Sequence, residues 1–360
     1  MTDFAWAIIG PGRIAHRFAD AVFRLPGTHL RGVLGHELGT AAQFVAHWSR
    51  AGKPLPRAMP DLAALLADEA IDAVYIATPH SAHAAFIRAC LAAGKPVLCE
   101  KPLVPNLAVA REMVALAQER GVFLMEAFWT RFLPVYTHVG DWLGHGVIGR
   151  VRAIQSSFCA RVPYDPGGRH FNASLAGGAL LDIGIYCLAM TRWVLESALG
   201  ACPAPERLGV EGVLAPTGVD QRAAATIVFP DGVLAQFICA FDCVADNSLR
   251  IFGEAGCITV PQTFWEATHA VLSPLDGASQ TVHAPFRFNG FEYEIEEAIR
   301  CVRNQWVESP RMPHSATLAN LAALDEFRRQ LGVRDPVEWS ASLCGYDRVA
   351  GGAMTPAAHG

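Results

Sequence analysis

Two short segments carry the residue types that a proton-transfer site needs. Glu100-Lys101-Pro102 follows an apolar run, and the chain has only three lysines, Lys53, Lys95 and Lys101. With lysine so scarce, one placed directly after a buried strand points to chemistry rather than solubility. Its ammonium can touch a cofactor ribose or a substrate hydroxyl and lower the pKa of a neighbouring acid. The second segment, Ala176-Gly177-Gly178-Ala179-Leu180-Leu181-Asp182-Ile183-Gly184-Ile185-Tyr186, opens on paired glycines and turns apolar. Asp182 and Tyr186 are four apart and share one face of a predicted helix. An aspartate in apolar surroundings is rarely kept without a partner, and a tyrosine hydroxyl beside it can exchange a proton. Lys101, Asp182 and Tyr186 are therefore the catalytic candidates.

A cofactor is implied at the start of the chain. Gly10-Pro11-Gly12-Arg13-Ile14-Ala15 fits G-x-G-x-x-G/A, after a predicted strand and at the opening of a helix. Gly10 permits the tight turn, Gly12 lets the backbone approach a pyrophosphate, and Arg13 and Ile14 begin the helix whose free N–H groups face it. At the end of the second predicted strand, Glu37 favours the ribose hydroxyls of NAD. Gly35 and His36 leave room and a possible cation for the 2′-phosphate of NADP. Both cofactors stay open on these residues. Thr78-Pro79-His80 and Glu100-Lys101 end two further strands at the same sheet edge, with His83 just beyond, so all join the cofactor-binding candidates.

The elements that position these groups follow from periodicity. Through residue 126, short continuously apolar strands alternate with amphipathic helices, the signature of a parallel sheet covered on both faces. Beyond it, strands over 151–160, 223–229, 232–241 and 248–252 run without intervening helices, with Asp231-Gly232 at a hairpin tip. One helix is predicted over 178–196 and a pair over 291–306 and 316–331. The fold class is thus α/β. A dinucleotide-binding Rossmann domain spans 1–126, an α+β domain with a large, mostly antiparallel open sheet spans 127–340, and a tail covers 341–360. Strands such as VLAQFICAF are apolar on both alternations, which predicts that the open sheet pairs with a second copy in a homodimer or higher homo-oligomer.

Composition narrows the classes. A net charge of −5 without an arginine run argues against nucleic-acid binding. No segment reaches the roughly 18 unbroken apolar residues of a membrane span, and the start has no basic stretch leading an apolar one, as a secretory signal would. Ten cysteines without a CxxC pair read as buried reduced thiols in a cytoplasmic protein. Zinc is not expected, because no Cys or His pairs stand at ligand spacing.

AIIGPGRIAHRFADA, ATPHSAHAAFIRACLAAGKPVLCEKPL and GGALLDIGIYCL together resemble the glucose–fructose oxidoreductase/inositol dehydrogenase (Gfo/Idh/MocA) family. MEAFWTRFLPVY and GFEYEIEEAIRCV are similar to its branch of dimeric dihydrodiol dehydrogenases and sugar 1-dehydrogenases. The resemblance implies a nicotinamide cofactor, NAD(P)(H), and oxidation of a ring or sugar hydroxyl. It also implies catalytic roles for Lys101 and for an acid–base pair at Asp182 and Tyr186. Members of the branch that prefer NADP place an arginine where this chain has His36. The expected activity is hydride exchange between the nicotinamide and a secondary carbinol of a sugar or cyclic diol. Tyr186 is the expected proton acceptor, Lys101 lowers its pKa, and Asp182 orients the pair; Lys101 as the base is the close alternative. Trp129, Arg131, Phe158 and Arg169 are the expected substrate contacts. A hydrolase or epimerase with a retained NAD, and a non-catalytic NAD(P)-binding regulator, share the same first domain and remain as alternatives.

Overall fold

The protein is described from a computed structural model over residues 3–49 and 53–334. The tail expected over 341–360 lies outside the described residues. The first apolar run is β1 (Phe4–Ile9), buried along its whole length, and it feeds α1 (Arg13–Arg24). Then come β2 (Thr28–Leu34), α2 (Leu38–Trp48), β3 (Arg57–Ala58), α3 (Leu62–Ala67), β4 (Ala73–Ile76), α4 (His83–Ala92), β5 (Val97–Glu100), α5 (Leu107–Arg120) and β6 (Leu124–Ala127). Local chemistry sets several ends: Asp61 Oδ1 accepts from Ala64 N at 2.7 Å, and Asn106 Oδ1 from Val109 N at 3.0 Å. All six strands are parallel, in the order β3-β2-β1-β4-β5-β6. The order reverses between β1 and β4, and the crevice outside their carboxyl ends is where such sheets bind ligands.

The second domain holds α6 (Pro134–Gly144), β7 (Val151–Cys159), α7 (Ile185–Leu199), β8 (Arg207–Leu214), β9 (Asp220–Val228), β10 (Leu234–Ala240), β11 (Leu249–Gly253), β12 (Gly256–Val260), β13 (His269–Pro274), β14 (Gln280–His283), α8 (Glu292–Arg303) and α9 (His314–Leu331). Its eight strands form one sheet, β14-β13-β12-β11-β7-β10-β9-β8, antiparallel except for the β7–β10 pair. The β9–β10 hairpin turns with Asp231 and Gly232 both at positive φ, 59° and 71°. The two domains are bolted together by α9. His314 Nε2 lies 2.8 Å from the carbonyl of Leu124, and Thr317 Oγ1 donates to Glu126 at 2.8 Å, both on β6.

The helix expected over 178–196 departs from α geometry where it matters. Leu180–Gly184 is a π-helical turn, and the α-helix proper begins at Ile185. Asp182 and Tyr186 therefore flank a π/α junction instead of sharing a regular α-helical face; such bulges recur at functional sites. Gly178 makes the entry possible. It sits at φ +120°, and a Cβ there would lie 2.4 Å from Asp220 Oδ1. Asp220 Oδ2 in turn accepts from Leu180 N at 2.6 Å, anchoring the first turn. The stretch Ala173–Leu199 is apolar and long enough to cross a membrane, yet 83% of its most apolar window is buried inside the protein as a core element.

Candidate active site

The crevice begins at the turn after β1. Gly10 has φ +91°, and a Cβ there would meet Ala77 O at 2.7 Å and Thr78 N at 2.8 Å, so only glycine fits between β1 and the end of β4. Around Gly12 the space is open to at least 4 Å from where a Cβ would stand. Gly12 caps α1 without a side-chain bond. The first-turn N–H groups thus face an unobstructed space that suits a pyrophosphate, and Arg13 and Ile14 stand exposed beside it. His36 and Glu37 are exposed just after β2, and Pro79 is exposed after β4. These residues fit a dinucleotide.

The chemistry converges from both domains. Lys101 Nζ donates to the backbone carbonyl of Asp182 at 2.5 Å and to its Oδ1 at 3.1 Å, and stands 5.0 Å from the centre of the Tyr186 ring. Arg169 adds a second cationic contact, Nη1 to Asp182 Oδ1 at 3.1 Å, and His170 Nε2 lies 3.7 Å from Oδ2. Burial alone would raise the Asp182 pKa. Lys101, with Arg169 next, more than overcomes it and holds the carboxylate ionised. Tyr186 is buried with its hydroxyl accepting from Trp129 Nε1 at 3.3 Å. Phe128 and Phe158 pack on its ring at 5.0 and 5.5 Å. Arg17 of α1 stacks over Trp129 at 4.4 Å, so the first domain fixes the indole that touches the tyrosine.

One electrostatic expectation is corrected. Lys101 was expected to pull the Tyr186 pKa down, yet burial, with Glu100 as the next cause, pushes it well above 10.0. The reason is placement: the ammonium is engaged by Asp182 and faces the ring. Tyr186 is therefore a neutral phenol, poised to donate.

The remaining candidates divide. His80 belongs to the cluster: its Nδ1 lies 3.1 Å from Ala176 O, at the entrance to the glycine pair. Trp129, Phe158 and Arg169 are also in place. His83 is not; it is fully buried, with Nδ1 3.0 Å from Pro102 O and Nε2 3.0 Å from Thr78 O. It ties the turn carrying Lys101 to the end of β4 and has no surface to offer a cofactor. Glu100 is likewise turned inward, accepting from Tyr75 Oη at 2.5 Å. The Thr78 hydroxyl is buried and makes no hydrogen bond. Arg131 points away from Tyr186 and pairs with Glu196 of α7. Two neighbours escape sequence reading, His170 and Trp265. The Trp265 indole stacks on Phe158 with ring centres 3.4 Å apart, in a turn with no motif of its own. The only hint for His170 is its place next to Arg169.

Burial lowers the His80 pKa to about 3 from 6.5, with Lys101 assisting. The unfolded chain then binds a proton that the folded chain refuses. Stability is therefore complete above pH 6.5 and falls on acidification until about pH 3. The slope is about 1.4 kcal/mol per pH unit. In His80→Gln, urea unfolding between pH 6.5 and 4.5 should show a shallower loss than in the parent; equal slopes would contradict this burial.

Residues 4–128 match an oxidoreductase family with an NAD-binding Rossmann fold (GFO/IDH/MocA), and residues 136–259 match the GFO/IDH/MocA C-terminal domain. The chain is 36% identical over 337 residues to the trans-1,2-dihydrobenzene-1,2-diol dehydrogenase of Danio rerio, covering 91% of this chain and 97% of that protein. It is 32% identical to the Homo sapiens enzyme of the same name, over 92% and 98%. Among solved structures, a 3-ketoreductase from Actinomadura kijaniata, in complex with NADP and TDP-benzene, superposes with a TM-score of 0.77 at 27% identity. That match spans 93% of this chain and 99% of the other. The glycine turn under α1 and the paired domains have the same explanation as these matches: the chain belongs to the GFO/IDH/MocA family of NAD(P)-dependent oxidoreductases.

Proposed function

We propose that this protein is a dehydrogenase of cyclic trans-diols, with Tyr186 exchanging the hydroxyl proton. The observation that carries the reading is the Lys101–Asp182–Tyr186 cluster at the carboxyl edge of the parallel sheet, beside the Gly10-Pro11-Gly12 turn. When bound, NAD(P) supplies the hydride acceptor or donor. Gly10, Gly12 and the start of α1 would hold its pyrophosphate, and Lys101 would reach its ribose or the substrate hydroxyl. In the reducing direction the neutral Tyr186 phenol gives its proton to the carbonyl oxygen. In the oxidising direction its phenolate form, reached when the phenol loses its own proton to solvent at alkaline pH, takes the substrate proton, with the Lys101 ammonium facing the ring. Asp182 holds that ammonium in place, helped by Arg169.

The substrate class rests on the walls. Phe128, Trp129 and Phe158 surround Tyr186, and Trp265 stacks on Phe158, a setting of ring faces and edges that suits a flat, weakly polar ring. The name of the Danio rerio relative agrees. Arg169 and His170 supply a polar side, which favours a sugar hydroxyl as the second reading. Initial rates over a panel of cyclic trans-diols and aldoses, each with NAD⁺ and NADP⁺, test this. The diols should give the higher kcat/KM; faster aldoses would reverse the order.

The working unit we infer is a homodimer through the outer face of the eight-stranded sheet. Ala224, Thr226, Leu234 and Gln236 are exposed on that face, Gln155 and Gln236 bond across it at 3.3 Å, and Arg222, Arg250 and Glu211 add charges of both signs. A sheet face that sets both signs of charge among uncharged residues can complement itself across a two-fold axis. Sedimentation at micromolar concentration should give twice the chain mass, and a monomer mass would refute the pairing.

A further inference from the structure

Arg131 leaves the catalytic site for a separate cleft. A cavity of about 400 Å³ lies between α6, α7 and the segment just before α9, within the size range of small-molecule sites. Arg131 lines it with a side chain only 6% exposed. Its Nη2 donates to Glu196, but Nη1 finds only Met312 Sδ, at 3.6 Å, and Nε finds no acceptor. A guanidinium offers five donors, and thioether sulfur is a weak acceptor. Buried donors left unmade are costly. Arg311, on the rim, lies over the Phe132 ring at 4.8 Å and pairs with no carboxylate among the described residues. Arg192, four residues before Glu196, also has a buried Nε without an acceptor. The cleft itself is lined by two guanidinium groups, Arg131 and Arg311, and two carboxylates, Glu196 and Asp141, and only Glu196 engages Arg131. Trp193, edge-on to Tyr136 at 5.1 Å, supplies an aromatic wall.

We propose that this cleft binds a small organic anion, whose carboxylate or phosphate is taken by Arg131 and Arg311 and whose flat body rests on Trp193. Anionic oxygens satisfy guanidinium donors with charge-assisted, often bidentate bonds, and the aromatic wall takes the apolar remainder. The site is separate from the catalytic centre. Trp129 and Arg131 share one 3-10 turn, yet Trp129 meets Tyr186 while Arg131 meets Glu196.

Calorimetric titration of the full chain, saturated with NADP⁺, would use benzoate and phenyl phosphate, with benzamide as the neutral control. Saturable binding of at least one anion and none of benzamide is expected, the tighter anion naming the group. Arg311→Ala, at an exposed position that does not endanger folding, should weaken that binding at least tenfold. Trp193→Phe should remove the fluorescence change that the anion causes. Absence of saturable binding, or an affinity unchanged in Arg311→Ala, would overturn the assignment, the latter placing the anion elsewhere on the protein.

Discussion

Tyr186→Phe should lower kcat by about 10²–10⁴-fold while leaving cofactor affinity close to that of the parent. The ring keeps its packing on Phe128 and Phe158, and only the hydroxyl that meets Trp129 is lost. The pH profile adds a second readout. Because burial and Glu100 hold the phenol protonated well above its ordinary range, diol oxidation should accelerate through the alkaline range in the parent. The residual rate of the variant should lose that dependence. A variant with near-normal kcat would move the proton elsewhere, most directly to Lys101.

Lys101→Ala should be more damaging, because the same ammonium serves several partners. It holds the backbone and carboxylate of Asp182 and faces the Tyr186 ring. Its loss should abolish measurable turnover and also weaken NAD(P)⁺ binding, which equilibrium titration would show. Folding should survive, since Arg169 still meets the Asp182 carboxylate. Turnover within tenfold of the parent would remove Lys101 from the mechanism. Comparing the two variants assigns the base: intact turnover in Tyr186→Phe with none in Lys101→Ala would make it Lys101.

The first domain was legible because each strand and helix has its own period, and Asp61, Asn106 and Gly121 mark the ends. Of the elements that escaped, β3, α6, β8, β12, β13 and β14, two did so for plain physical reasons. β3 is only two residues long, and β8, at the sheet edge, is exposed or half-buried throughout, so neither presents a buried run. The parallel pairing of β7 with β10 leaves no local trace, because the two strands are far apart in sequence. Lys101 and Asp182 were readable because each breaks a local rule, a lone lysine after a buried strand and an aspartate in an apolar helix. Arg131 misled because it follows Trp129 by two. In a 3-10 turn of about three residues, two steps rotate the side chain to another side, toward Glu196. His83 misled for a related reason: its place at the sheet edge is real, but three backbone carbonyls occupy both its nitrogens. Trp265 reaches the site only through the tertiary fold, held by Thr130 Oγ1 donating to its carbonyl at 2.8 Å.

An oxidoreductase built this way should turn over free nicotinamide cofactor against a CH–OH substrate. The direct measurement is the absorbance of reduced nicotinamide when the purified protein is mixed with excess NADP⁺ or NAD⁺ and a cyclic trans-diol. Many equivalents of reduced cofactor per chain should accumulate, and the product should contain the matching ketone. Reduction that stops at one equivalent per chain, with the substrate hydrolysed or epimerised instead, would contradict it and point to a retained cofactor used transiently.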